Sequence, residues 1–326
     1  MTVASAENRR DGARKPSVWV VTDGKIGDDV QCLAIAGALN PDFEKRVAAP
    51  RAPWVWAAPW GPVDPREAPG RAGGPLAGAP PDIAIMSGRR VIPHARALKK
   101  ASAGRTRIIM LKDPRIARDA ADALWIPSHD KVSGGNVIAT LTSPHGLASK
   151  LASNTTPCAA IAELPKPFLG VVLGGPAGGA QYSLAAARDL GARITKAAKT
   201  YAAIAVTPSR RTPPNFLETM SSAIVHDRLF VWDGSGGNPY AGILAHAGAL
   251  IVAADSHNMV SEALASRAGV YMWRPDGLAK KMNWFADQLI ARGDAREFEN
   301  TANTFARTPI DATPEIVAAI EKLLSR

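Results

Sequence analysis

Cysteine is nearly absent from this chain. Only Cys32 and Cys158 occur in 326 residues, too few for a disulfide framework and wrongly spaced for zinc, in keeping with a reducing compartment. No apolar run approaches the roughly 20 residues that a membrane span needs. The opening stretch MTVASAENRRDGARKP lacks the apolar core of a signal peptide and reads as a loose tail. Several nucleotide-binding signatures are missing as well. The Gly24–Gly27 turn is not a G-x-x-x-x-G-K-[ST] phosphate loop, and neither half carries G-x-G-x-x-G after its first strand. These gaps disfavour P-loop enzymes and Rossmann-type oxidoreductases. No D-x-D pair of acids stands at a strand end, so no metal is expected. Without a zinc finger, an RNP-type aromatic motif or a basic recognition helix, nucleic acid is not an expected partner. The expectation is a cytoplasmic protein.

What is present points to a globular α/β protein. Hydrophobic residues make up 46% of the chain, and its length allows two domains, each with its own core. The net charge of +10 is uneven. Residues 1–160 hold 22 Lys and Arg against 14 Asp and Glu, whereas residues 161–326 hold 17 against 15. A basic first half attracts phosphorylated substrates or an anionic membrane surface.

Short apolar strands alternate with helical periods, the pattern of a parallel sheet covered on both faces. Strands are predicted at Val18–Thr22, Phe43–Ala48, Asp82–Met86, Thr106–Leu111, Ala123–Ile126 and Val137–Leu141, with helices at Asp29–Leu39 and Val91–Lys100. A proline-bearing linker, Glu163-Leu-Pro-Lys-Pro167, precedes a restart. Strands then fall at Phe168–Leu173, Tyr201–Val206, Leu229–Trp232, Ala249–Ala254 and Val270–Trp273, with helices near Ser183–Ala198 and Leu278–Ile290. A last helix, Pro314–Leu324, takes Thr313 as its N-cap. Residues 51–80 interrupt the first run. They are too rich in Pro and Gly for a helix or an interior strand, and they carry Trp54, Trp56 and Trp60. Indoles favour a membrane interface, so this insertion is a candidate lipid-facing loop. The expected divisions are a tail at 1–16, a first Rossmann-like domain at 17–164, a second at 165–295, and a closing segment at 296–326 that packs back on the first.

The richest stretch is Phe230–Ala265, FVWDGSGGNPYAGILAHAGALIVAADSHNMVSEALA. A buried strand ends in Asp255-Ser256, and the next helix carries Glu262 two turns in. Open α/β sheets bind ligands where strands end and helices begin, because helix N-termini present unpaired N–H groups there. A charged, hydroxyl-rich ligand such as a nucleotide-sugar suits such a place.

The pieces Thr22-Asp-Gly-Lys-Ile-Gly27, Leu173-Gly-Gly175, Ser209-Arg-Arg211, Gly237-Asn-Pro-Tyr240, Ala254-Asp-Ser256 and Met259-Val-Ser-Glu-Ala263 resemble the mitochondrial-fission (elongated mitochondria) family. The resemblance covers nearly the whole chain after residue 17. It implies a GT-B-like fold, two Rossmann-like domains facing a cleft, distantly similar to nucleotide-sugar transferases. Two departures stand out: His257-Asn258, which bears on donor preference, and the Pro/Trp-rich insertion, which bears on the acceptor.

On that footing the expected function is metal-independent transfer of a sugar from a nucleotide-sugar to a cell-envelope or lipid acceptor. The alternative is a non-catalytic, membrane-associated recruiting protein on the same scaffold. For the donor, Gly174 and Gly175 let backbone approach closely, while Ser209, Arg210 and Arg211 offer phosphate contacts. Asn238 and Tyr240 contact the nucleotide. Asp255 and Ser256 stand at the strand end, and Ser261 and Glu262 lie on the exposed side of the helix, where a carboxylate accepts both ribose hydroxyls. An inverting transfer needs a base within reach of the acceptor hydroxyl. Asp23 is the best placed, beside Gly24, Lys25 and Gly27. His129, Asp130 and His145 follow later strands and are further candidates.

Overall fold

The computed structural model describes residues 14–116, 118–147, 151 and 157–325. Most of the expected tail, residues 1–13, lies outside the described residues. Strands β1 (Val18–Thr22), β2 (Glu44–Val47), β3 (Ile83–Ser87), β4 (Arg107–Leu111), β5 (Ala123–Pro127) and β6 (Val137–Thr140) form one sheet in the order β2-β1-β3-β4-β5-β6. Strands β7 (Phe168–Leu173), β8 (Ala203–Pro208), β9 (Leu229–Val231), β10 (Ala249–Ala253), β11 (Gly269–Trp273) and β12 (Arg296–Glu297) form a second, in the order β12-β11-β10-β7-β8-β9. The two sheets are separate, and the pattern restarts at Phe168 as expected. Pairing is parallel through both. The strands β1, β3, β7 and β10 are buried along their whole length, which is why they read as unbroken apolar runs rather than alternating ones.

Helices α1 (Ile26–Leu39), α2 (Trp54–Ala57) and α3 (Ile92–Ala101) accompany the first sheet. After them come α4 (Ala159–Ala162), α5 (Leu184–Ala197), α6 (Pro214–Ser222), α7 (Tyr240–His246), α8 (His257–Leu264), α9 (Lys280–Ala291) and α10 (Thr313–Leu324). By contact the chain forms two compact units. One runs up to Trp125 and includes the last residues from Ala319; the other is Ile126–Ala318. The end of α10 therefore counts with the first unit, as the returning helix requires. Each unit is a Rossmann-like α/β layer structure of the GT-B-like kind.

Local packing explains several choices. Gly170, inside β7, has no room for a side chain: a Cβ there would lie 2.7 Å from both Ile243 of α7 and Leu250 of β10. Ser183 caps α5 by accepting from Ala186 N at 3.1 Å. Three local expectations need correction. The insertion holds one helical turn, α2. The two exposed residues of β12 carry no apolar signal and escaped prediction. Thr313 is the first residue of α10 rather than its cap, because its hydroxyl donates to His145 O at 3.2 Å, while Asp311 Oδ1 accepts from Thr313 N at 2.9 Å.

The end of α8 is fixed by an arginine. Arg307 Nη2 donates to Leu264 O and Ser266 O, both at 2.7 Å, and its Nε donates to Ala268 O at 2.8 Å. Burial pushes its pKa down to about 10, which leaves it protonated at neutral pH. Cations are favoured at a helix C-terminus, where carbonyls lack partners. Replacing Arg307 with Met strands those carbonyls, and we expect a loss of about 2–3 kcal/mol. Urea unfolding checks this, and Arg307→Lys should recover less than half of the loss, because one ammonium cannot match the fork.

Candidate functional site

Three strand ends of the second unit meet on Asp255. Its carboxylate is out of water and accepts from Tyr182 Oη at 2.6 Å, Gly175 N at 3.2 Å and Arg211 Nη2 at 3.0 Å. Arg211 Nη1 also donates to Gly175 O at 3.0 Å. Ser209 Oγ donates to Gly174 O at 2.9 Å, and Thr212 Oγ1 reaches the same carbonyl. Expected donor ligands are thus brought together, but mostly as partners of one another. A Cβ at Gly174 would sit 1.9 Å from Asp255 Oδ1, and one at Gly175 would sit 2.3 Å from Arg211 O. The space beside the glycine pair is therefore filled by protein. Arg211 is committed to Asp255 and Gly175, so the expected two-arginine clamp reduces to Arg210, which is exposed. Tyr182, with ring contacts to Phe216 at 4.8 Å and Trp273 at 5.4 Å, was not foreseen. Burial, and then the Asp255 charge, push its phenol pKa up.

Helix α8 starts from this hub. Ser256 is its N-cap and accepts from Met259 N at 3.4 Å, as the sequence predicts. Glu262, one turn further, accepts from Tyr240 Oη of α7 at 2.5 Å. Burial raises the Glu262 pKa, opposed by that hydrogen bond, and burial also raises Tyr240. Asn238 is exposed and turns the chain into α7 by accepting from Tyr240 N at 2.9 Å. Ser261 is not on an exposed face. It is fully buried, donates to His257 O at 2.8 Å and accepts from Ser143 N at 2.9 Å. The reason is that α8 is covered on more than one side: Val260, Ser261, Ala263 and Leu264 are all buried.

His145 also belongs to the second unit. Its ring is 2% exposed, neither nitrogen has a hydrogen-bond partner among the described residues, and burial pushes its pKa down. Sealed in this way, it is a poor proton acceptor for a substrate. His129 is buried edge-on to His257, with ring centroids 4.7 Å apart, and its pKa is likewise lowered by burial. Asp130 pairs with Lys281 at 3.1 Å. In the first unit, the Asp23 side chain is 1% exposed. Lys25 Nζ lies 2.9 Å from its Oδ2, yet neither oxygen receives a well-aligned hydrogen bond. Gly24, at φ +79, makes the turn after β1, and Lys25 and Gly27 lead into α1. Among the described residues, no group of three or more His, Cys, Asp or Glu is placed to hold a metal ion.

The family model described as Mitochondrial fission ELM1 matches residues 26–324. The chain belongs to this family. Mitochondrial fission protein ELM1 of Arabidopsis thaliana is 24% identical over 274 residues, which are 75% of this chain and 64% of that protein. Among solved structures, an S. aureus MnaA-UDP co-structure aligns at TM-score 0.52 with 12% identity, over 95% of this chain and 97% of the other. A UDP-GlcNAc 2-epimerase from Methanocaldococcus jannaschii aligns at TM-score 0.52 with 10% identity, over 95% and 93%. Those identities speak for the fold.

The raised Glu262 pKa sets a pH dependence for this ELM1-family protein. Between the unfolded and the folded pKa, the unfolded chain binds fewer protons, so stability from this group is full below the unfolded value and falls as pH rises toward the folded one. Glu262→Gln keeps an acceptor for Tyr240 and removes the buried charge. In thermal unfolding we expect it to match wild type near about pH 4 and to exceed it at neutral pH. A variant less stable than wild type at neutral pH would contradict this.

Proposed function

We propose that this ELM1-family protein binds a nucleotide-sugar on its second unit and transfers the sugar, without a metal, to a cell-envelope or lipid acceptor. The observation that carries the reading is Glu262, a carboxylate held against Tyr240 where burial disfavours its charge. Acids retained at a cost in stability concentrate at functional sites. An ionised Glu262 accepts hydrogen bonds from two ribose hydroxyls, Asn238 supplies an amide, and Arg210 supplies the cation for the diphosphate. Ser256 sets the start of α8, the helix that carries Glu262. The UDP named for the S. aureus structure supports a uridine nucleotide as the first ligand to try.

In an inverting transfer the acceptor oxygen attacks the anomeric carbon, the carbon–oxygen bond to phosphate breaks, and the nucleoside diphosphate leaves with the electron pair. A base removes the acceptor proton. The side chain of Asp23, the base that the sequence puts forward, is as closed to substrate as that of His145, and Lys25 approaches it to 2.9 Å. Calorimetry with nucleoside diphosphates and CMP tests the donor site. Glu262→Ala should weaken binding by about 1–3 kcal/mol. Unchanged affinity in the folded variant removes the ribose role, and no binding of any nucleotide by wild type removes the catalytic reading.

The second reading, a membrane-associated recruiting protein, is favoured by a different observation. Trp56 is 76% exposed and Trp60 is 68% exposed, whereas Trp54 is half-buried beneath Arg51. Exposed Arg89, Arg90 and Arg96 belong to the same unit, and Arg96 holds Pro59 O at 2.9 Å. No helix among the described residues is long and apolar enough to cross a membrane, so contact with lipid would be peripheral. Each basic residue near an anionic surface contributes about 1 kcal/mol, within a Debye length of about 8 Å at physiological salt. We expect sedimentation with anionic liposomes that weakens with salt and leaves a salt-resistant remainder. Trp56→Ala should abolish that remainder. Absence of sedimentation at low salt, or an unchanged remainder in Trp56→Ala, removes the docking loop.

A further inference from the structure

The first unit holds a cavity of about 450 Å³ at the C-terminal ends of β3 and β4, within the size range of small-molecule pockets. Gly88, Met110, Leu111 and Trp60 are among the residues that line it. The charges at its rim do not cancel. Asp28 is taken by Lys112, and Asp113 is taken by Arg118 at 2.6 Å. Two further cations line the cavity, Arg89 and Arg115, and neither guanidinium forms an ion pair within 4.0 Å among the described residues, although the charge of Arg115 helps Arg118 hold the Asp113 carboxyl low. Arg89 lies over the Trp60 ring, 5.1 Å from its centroid. The backbone is strained at the same place: Lys112 and Arg115 have φ +69 and +62. Side-chain-bearing residues adopt that region at a cost.

We propose that this cavity binds a phosphorylated sugar. The phosphate would sit between the Arg89 and Arg115 guanidiniums, whose fork geometry matches phosphate oxygens. The C–H face of the sugar would lie on the Trp60 indole above Met110 and Leu111. Two guanidiniums set against an apolar, aromatic wall demand a ligand with a compact double negative charge at one end and a flat, weakly polar body at the other. A free sugar lacks the first, and inorganic phosphate lacks the second. The same chemistry is offered by a soluble sugar phosphate and by the headgroup of a phosphoglycolipid. The acceptor role of that compound rests on the transferase reading above; its binding does not.

Calorimetry on the full chain, with glucose 6-phosphate, glucose and inorganic phosphate as probes, tests the site. A glucose-phosphate lipid in phosphatidylcholine vesicles gives the membrane arm. Wild type should bind glucose 6-phosphate, the lipid or both, and more tightly than glucose or phosphate alone. Binding of the soluble form alone identifies a free metabolite as the source, and binding of the lipid alone identifies a headgroup. Arg89→Gln and Arg115→Asn should each weaken binding by about tenfold or more. Asn is chosen at position 115 because it tolerates a left-handed backbone, and unchanged circular dichroism certifies the fold of each variant. Binding of neither sugar phosphate by wild type overturns the proposal, as does wild-type affinity in both folded variants. A protein that binds UDP but no sugar phosphate loses this site and keeps the donor reading; the reverse result keeps this site and loses the donor reading.

Discussion

Asp255 stands just past β10 with its side chain out of water, and two separate loops of the second unit converge on it with three partners. A buried carboxylate is tolerable only with its partners in place. Here they are a backbone N–H after β7, a phenol from the loop before α5 and a guanidinium from the loop after β8. Each partner is in turn constrained by the carboxylate. The closeness of Asp255 to Gly174 forbids any larger residue there, and Arg211 forbids one at Gly175. The glycine pair, the Arg and the Asp thus form one structural unit spread over about 80 residues of sequence. This unit sets where α8 begins, so the positions of Ser256 and Glu262 depend on it.

The buried strands and their parallel pairing were legible because fully buried strands are written as unbroken apolar runs. The cap at Ser256 was legible for a similar reason, since a serine between a strand and a helical period has few other uses. What could not be read was which polar groups were already committed. Arg211 reads like Arg210, yet its acceptor lies 44 positions away. Thr313 has the chemistry of a cap, but the backbone of His145 occupies its hydroxyl. Ser261 was assigned to an open face on helical spacing, and spacing fails for a helix covered on several sides. Arg307, which caps the end of α8, sits 43 residues beyond the carbonyl of Leu264 that it holds. No local pattern announces such a contact.

The insertion shows the same limit from the other side. Its Pro and Gly content argued against any helix, yet Trp54–Ala57 forms one turn, and that content said nothing about what orders the segment. Arg51 pairs with Asp64 at 3.0 Å, and Glu67 accepts from Ala49 N and from His94 Nε2, both at 2.8 Å. His94 is wholly buried, and its Nδ1 faces Arg90 O at 3.2 Å. This Glu67–His94 contact ties the segment bearing Trp56 and Trp60 to α3.

Internal satisfaction separates scaffold from site. Ser209, Arg211, Asp255 and Ser261 direct the bonds described above inward, so folding alone accounts for them. The same test applies to the His257-Asn258 departure. His257 turns its Nε2 to Leu141 O at 2.8 Å and packs its ring against His129 and Phe285. An effect of this histidine on donor preference would then run through the seating of α8, not through contact with the sugar. The groups left with unused capacity are different ones: Asp23 with two unaligned oxygens, Glu262 in an environment that disfavours its charge, exposed Arg210, and the cavity pair Arg89 and Arg115. All but Glu262, which lies within α8, follow strand ends of two Rossmann-like units, where such folds place ligands.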